Sequence, residues 1–335
     1  MATTTRLIQL CVGYFLTYLL TGVLVKYFQG AAERGFPGMS EPQYLVYSTV
    51  GGSLLCLVAV AVLGWWKVPD GVDLGRLARV LIPSGLCTAV VIPATTLLYS
   101  LPITVMVAMV VMRGSIIVVS RLVDTIQIRQ GILMRRVYGE ENVAVGFALA
   151  AVGVHLVGTE NVRFTPAAAA ILGAYVVAYA VRIYLMNWFK NVVRGTDNRT
   201  YFALEQVVAS AALALGLAAV VWTPSREGVL LGLSEAVRLP HPQWGWGAAA
   251  GSVFGVVAFF SVFIFLFPGR TATFAGLVNR LTSLVAGTAA TLVSAVLFGS
   301  SFPKPADWMS LGLIFVAVGF LTQAERRRAR ELAAA

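Results

Sequence analysis

The chain has 335 residues, of which 58% are apolar and only 12% charged, and its formal charge is +10. Soluble domains carry about a quarter charged residues, so an ordinary soluble globular protein is excluded. The basic residues sit mostly at the ends of apolar blocks, which is the membrane pattern and not that of a nucleic-acid binder.

Ten apolar blocks of spanning length follow in chain order, at about 7–28, 43–65, 78–98, 101–121, 142–158, 166–189, 201–222, 245–267, 272–297 and 308–324. Roughly 20 residues cross the hydrocarbon, so each block reads as a transmembrane helix. The first is too long for a signal-peptide core and no small-x-small cleavage site follows it, so it is expected to be a retained span. Proline and glycine punctuate the connections: Gly35, Pro37, Gly38 and Pro42, then Pro69 and Gly71, then Pro224, Pro240 and Pro242 in the longest polar stretch, 222–242. Between Tyr99 and Pro102 there is almost no loop, which predicts a tight hairpin. The segment 124–137, DTIQIRQGILMRRV, interleaves apolar and basic residues. It reads as an extension of the fourth helix, with a basic interfacial helix as the other reading.

Loop charges give the orientation. With a cytoplasmic N-terminus, the outside segments hold Arg34, Arg163, Arg226, Arg238 and Lys304. The inside segments hold many more, ending in Arg326, Arg327, Arg328 and Arg330, a solvated anchor. An integral multi-pass protein with both termini cytoplasmic is expected, in a plasma (inner) membrane or the Golgi alike. Cys11, Cys56 and Cys87 fall inside apolar blocks without paired spacing, so they read as small buried hydrophobes and not as a disulfide framework or metal site.

A shift of 166 residues brings Pro102 onto Pro268, Gly146 onto Gly312, and Ala151-Val152-Gly153 onto Ala317-Val318-Gly319. In each half a proline opens an apolar helix, an arginine follows, and a glycine-bearing helix closes the unit. Five spans per half is an odd number, so the second copy is inverted. The expected fold is an all-α membrane protein of ten transmembrane helices in two inverted five-helix repeats, 1–160 and 161–325, with a basic cytoplasmic tail at 326–335. Such a plan serves secondary transporters, which hold substrate near mid-membrane between the halves.

Two arginines stand alone in apolar runs, Arg113 within 101–119 and Arg280 in the ninth block. A guanidinium does not lose its proton, and a permanent charge at depth usually faces a bundle interior or a water-filled path. At helical spacing Thr273, Gly276, Arg280, Ser283 and Gly287 share one face, with Asn279 adjacent. This pattern suits a phosphate or carboxylate clamp. The competing reading is close helix packing, with Arg280 bonded to backbone carbonyls or Glu205. Gly114, Ser115 and Ser120 follow Arg113. In the sixth block Tyr175, Tyr179, Arg182 and Met186 share a face, as a stacking platform beside a cation or as plain packing. Tyr14 and Tyr18 carry the same two readings. Glu205, with Tyr201 and Gln206, opens the seventh block as a proton carrier or as the counter-charge of an inside arginine. Lys26 snorkels, His155 packs, and the Gly247, Gly251, Gly255 stripe marks close helix contact. No nucleotide-binding glycine loop, paired histidine ligands or nucleophile elbow appears, so neither an enzyme nor a cofactor is expected.

The run 102–122, PITVMVAMVVMRGSIIVVSRL, carries a Met112-Arg113-Gly114 signature, and 276–288 reads GLVNRLTSLVAGT. With ten spans and a repeat, the chain resembles the drug/metabolite transporter superfamily. The first run resembles the fourth helix of nucleotide-sugar and related solute carriers. The second is similar to the G-A-L-N-K motif of GDP-sugar carriers at Gly276, Leu277, Val278, Asn279 and Arg280. The helices closing each half, within 144–158 and 308–323, look like the ends of EamA-type repeats. The resemblance implies that Asn279 and Arg280 hold the base or phosphate region of a nucleotide. It departs in the seventh helix, where GDP-sugar carriers have F-Y-N-N and this chain has Tyr201 to Gln206, YFALEQ. The expected partners are a small anionic substrate and the bilayer, with no nucleic acid, in a monomer or homodimer. The other expectations are a proton-coupled exporter of amino acids or drugs, and a membrane enzyme acting on lipid-linked substrates.

Overall fold

A computed structural model describes residues 2–67, 74–99, 105–133, 137–154, 166–193, 197–223, 228–299 and 302–334. Among them the protein is all helical, with eleven α-helices and no strand. They are α1 (Ala2–Phe28), α2 (Glu41–Val62), α3 (Leu74–Tyr99), α4 (Val105–Arg129), α5 (Gly139–Gly153), α6 (Pro166–Val192), α7 (Asn198–Trp222), α8 (Gly228–Arg238), α9 (Trp244–Phe265), α10 (Ala272–Phe298) and α11 (Pro305–Ala334). A helix of 27 residues such as α10 rises roughly 40 Å at 1.5 Å per residue, enough to cross a hydrocarbon layer of about 30 Å.

Among the described residues eight helices are long and apolar enough to cross a membrane: α1, α2, α3, α6, α7, α9, α10 and α11. The protein is therefore an integral multi-pass membrane protein. The predicted blocks at 101–121 and 142–158 lie partly outside the described residues, and their described parts belong to helices α4 and α5. The polar stretch 222–242 was expected to be a connection. Part of it instead folds as α8, whose buried Leu233 and Ala236 lie on one side at i and i+3. Helix α4 does run past its apolar block, to Arg129, and Gly131 in the left-handed region (φ 68°) ends it. Helix α11 continues from its apolar part through 326–334 to Ala334. The hairpin at 99–102 and His155 lie in whole or in part outside the described residues.

Local signals set the ends. Ser40 and Gln43 form a reciprocal capping box before α2, with Pro42 in its first turn. Thr271 caps α10 by accepting the Phe274 N–H at 3.1 Å, and Gly299 closes it in the left-handed region. Two prolines, Pro83 and Pro93, sit inside α3 and each withdraws an N–H from its ladder.

Helix α1 lies against α9 and α10, and α6 lies against α3 and α4. Helix α2 packs on α9, α7 on α3, α5 on α11, and α4 on α10. Large apolar side chains such as Val62, Val177, Leu215, Val296 and Phe315 are left exposed, which matches a lipid-facing perimeter. The closest seam is α2 with α9. A Cβ at Gly51 would overlap the Ala248 carbonyl, one at Gly251 would overlap Ser48, and one at Gly255 would lie 2.7 Å from the Gly52 carbonyl. The glycine stripe of α9 thus serves close helix approach.

Candidate functional site

Helix α10 is enclosed on nearly every side over its first three turns, from Ala272 to Leu281, whereas beyond Ala286 it is mostly half-buried or exposed. The side chains singled out in this helix stand around that transition. Arg280 is 8% exposed, and its Nε has no hydrogen-bond partner. Its guanidinium lies over the Tyr179 ring, 5.0 Å from the centroid. That is cation–π distance, worth about 0.5–2 kcal/mol depending on desolvation. The Tyr175 ring packs at a tilt against Tyr179 with centroids 5.0 Å apart, and Tyr14 does so against Tyr18 at 5.6 Å. Asn279 accepts from the Tyr14 hydroxyl at 3.5 Å and donates to Ser261 Oγ at 3.0 Å, which ties α10 to α1 and α9.

Arg113 of α4 reaches the same face of α10. Its guanidinium lies 3.8 Å from where a Cβ at Gly287 would stand, an ordinary contact distance. Gly276 makes room for Ser120, which a Cβ would overlap. Arg113 is half-buried. Among the described residues, neither Arg113 nor Arg280 has a carboxylate within ion-pair distance. Arg280 and Gly287 are seven residues apart, roughly 10 Å along the helix axis, on one face of α10. Ser283, expected to join this face as a ligand, is fully buried and spends its hydroxyl proton on the Arg280 carbonyl at 2.8 Å.

Arg182 is built differently. Its Nε and one terminal nitrogen donate to both oxygens of Glu205, at 2.8 and 3.1 Å. Ser84 and Thr88 of α3 donate to the same carboxylate at 2.6 and 3.2 Å, and Tyr201 shares a 2.6 Å hydrogen bond with Ser84. Glu205 is fully buried. Four donors on one carboxylate is how a buried ion pair offsets the cost of leaving water. Glu205 is thus the counter-charge of Arg182 and not of Arg280. Ser84 and Thr88 went unnoticed in the sequence, although two hydroxyls at i and i+4 in an apolar block are a visible sign of a polar face.

Sequence reasoning also missed a second polar assembly, at the end of the bundle where α10 begins. Asp124 at the end of α4 accepts the Ala272 N–H at 2.8 Å and the Thr273 N–H at 2.6 Å. Glu141 of α5 pairs with Arg328 of α11 and accepts from Thr271 at 3.2 Å. Arg270 pairs with Glu325, which also holds Arg328 at 3.2 Å. Arg328, read as part of a solvated cluster, is therefore buried. Cys11, Cys56 and Cys87 are free thiols, and no group of three metal-ligating side chains occurs among the described residues.

A helical bundle in the bilayer, with unmatched cations beside a tyrosine cluster, defines a multi-pass membrane protein with an internal polar site. No family model and no curated protein matches the chain. Among the solved structures 27 chains match. One, described as a crystal structure of protein, superposes with a TM-score of 0.56 at 16% identity, over 95% of this chain and 98% of its own. The chain therefore shares that fold along nearly its whole length.

Proposed function

We propose that the protein is a secondary transporter, of the drug/metabolite transporter type, that moves a small organic anion by alternating access. The observation that carries this reading is the contrast between Arg182, which has its own carboxylate, and Arg280 and Arg113, which have none among the described residues. Leaving a charge unmatched at depth costs several kcal/mol, so a charge kept there needs a visiting counter-ion. Arg280 and Arg113 would take the negative groups. Tyr14, Tyr175 and Tyr179 would cover the rest of the substrate, and Asn279 would orient it. A nucleotide sugar or a phosphorylated metabolite has the required charge and flat surface.

The helix packing supports two inverted halves. Exchanging α1 for α6, α2 for α7, α3 for α9, α4 for α10 and α5 for α11 turns each of the main pairings of the fold into another observed pairing or into itself. The α1 contacts with α9 and α10 become those of α6 with α3 and α4, and α2 on α9 becomes α7 on α3. Helix α8 is then an insertion outside the repeat. The proton-carrier reading of Glu205 gains nothing from this geometry, since four donors already engage its carboxylate.

Purified protein in liposomes, offered nucleotides, sugar phosphates and amino acids in turn, tests the reading. Uptake of a phosphorylated anion that Arg280→Ala abolishes, while the variant stays monodisperse, is the expected result. Undiminished uptake by Arg280→Ala would remove the clamp. Uptake of neutral or zwitterionic solutes alone would remove the substrate class.

A further inference from the structure

We propose that the end of the bundle where α10 begins is a gate, shut in this structure by a charged lattice between the two halves. The inference rests on the transport reading and adds to it which face is closed and what closes it. Three observations converge. Asp124, Gln127, Asn187, Glu141, Thr271, Arg270 and Arg328 all lie at this end, and each is at least nine-tenths buried. Polar side chains beside an aqueous face are buried only where that face is sealed. The bonds also cross from one half to the other: Asp124 to the N-terminus of α10, Glu141 to Arg328 and Thr271, and Asn187 of α6 to Asp124 and Gln127 at 3.3 and 2.6 Å. Finally, α10 is enclosed around its first three turns and loosens beyond Ala286, where Leu292, Val296 and Leu297 are exposed, so the tight enclosure is confined to the end that holds the lattice.

The chemistry of the lattice suits a seal that must reopen. Every bond in it is polar, so water can replace each one when the end parts. Lys190 is a second fastener, with its Nζ on the Phe265 carbonyl at 3.0 Å and the Arg270 carbonyl at 2.8 Å, just where α9 ends and α10 is about to begin. Asp124 is the central member. Its carboxylate occupies the first two free N–H groups of α10, where the positive end of the helix dipole favours an anion. Helix α10 carries Asn279 and Arg280 two to three turns farther in. Parting α10 from Asp124 therefore moves the site and opens the seal in one motion, a rigid-element transition of the kind that alternates access.

The test uses a cysteine-free protein (Cys11, Cys56 and Cys87 replaced by serine) carrying Gly287→Cys, in vesicles of each orientation. A membrane-impermeant anionic methanethiosulfonate is applied from one face at a time. With the lattice intact, labelling is expected from the face at the C-terminal end of α10, and at least tenfold slower from the other. Asp124→Ala, and separately the paired change Glu141→Gln with Arg328→Gln, should raise labelling from the α10 N-terminal face tenfold or more. Asp124→Asn, which keeps one acceptor oxygen, should raise it less and guards against misfolding of the stronger variants. Equal labelling of the intact protein from both faces would overturn the gate. So would labelling confined to the C-terminal face in every variant, with the transport reading left standing. Labelling from neither face in any variant would overturn the wet site, and the gate with it.

Discussion

Two helix seams occupy equivalent places in the proposed halves and are built from opposite materials. Where α2 meets α9, Gly51 and Gly52 face Ala248, Gly251 and Gly255, and backbone touches backbone. Where α7 meets α3, only Gly85 allows such approach. A Cβ there would lie 2.6 Å from Val208 and 2.9 Å from the Glu205 carbonyl. The rest of that seam is Ser84, Thr88, Tyr201 and Glu205, gathered around the guanidinium of Arg182. The first seam is held by the absence of side chains and offers water nothing to solvate. The second is held by a carboxylate, and one helical turn from Arg182 stands Tyr179, the platform for Arg280. Of the two joints between the halves, one is thus rigid and the other is tied to the site.

The largest effect should come from the dry seam. Gly251→Leu puts a branched side chain where even a Cβ overlaps Ser48, and neither backbone can yield without parting the helices. Overpacking of a tight interior usually costs about 1–3 kcal/mol, and here the obstacle is backbone, so loss of folded protein is expected in fluorescence-detected size exclusion. Gly245→Ala, with open space around its position, should leave the profile unchanged. If both variants elute alike, the seam is not the joint described.

The charged seam should break less completely and be repairable. Glu205→Ala strands Arg182 in the interior, which costs roughly 3–5 kcal/mol. Glu205→Leu combined with Arg182→Met removes both charges and should recover most of that loss. Thermal unfolding in detergent compares the three. A double variant no more stable than Glu205→Ala would mean that the cost lies in the hydroxyl network and not in the unpaired charge.

The two seams were not equally legible in the sequence. The glycine stripe of α9 shows as Gly247, Gly251 and Gly255 at every fourth residue, and a stripe of small residues in an apolar helix has essentially one use. The pairing of Glu205 did not show, because the sequence offered Arg280 or an inside arginine as its partner and only the fold brings α6 and α7 together on α3. Eight of the ten apolar blocks correspond closely to helices, and the fourth and fifth in their described parts, since long hydrophobic runs state their own length. Helix α8 escaped because eleven residues between prolines look like a polar connection. The gate lattice escaped for a different reason. Its bonds between the halves join residues 60 to 187 positions apart, and a charge in a loop gives no hint of which distant charge will bury it.

The matched and unmatched arginines should part company in a third measurement. Arg182→Met leaves Glu205 without its main partner and should lower the melting temperature. Arg280→Met removes a charge whose Nε has no partner, so stability should hold or rise by about 1 kcal/mol while anion uptake disappears. Equal destabilisation by both variants would show that Arg280 has structural support equivalent to Glu205.

The smallest effect sharpens the link between the two regions. Tyr179 offers its ring face to Arg280 and lies one turn from Arg182, so it meets both the site and the charged seam. Its ring face meets the guanidinium, and its hydroxyl interacts with it as well. Tyr179→Phe keeps the face and removes only the hydroxyl, so it should weaken binding less than a change that removes both. Tyr179→Leu keeps apolar bulk and removes that face, which should weaken binding by about 1 kcal/mol, or roughly fivefold in KM, with folding unchanged. The reverse ranking, Phe worse than Leu, would assign the role to the hydroxyl and make Tyr179 a hydrogen-bonding ligand of the anion.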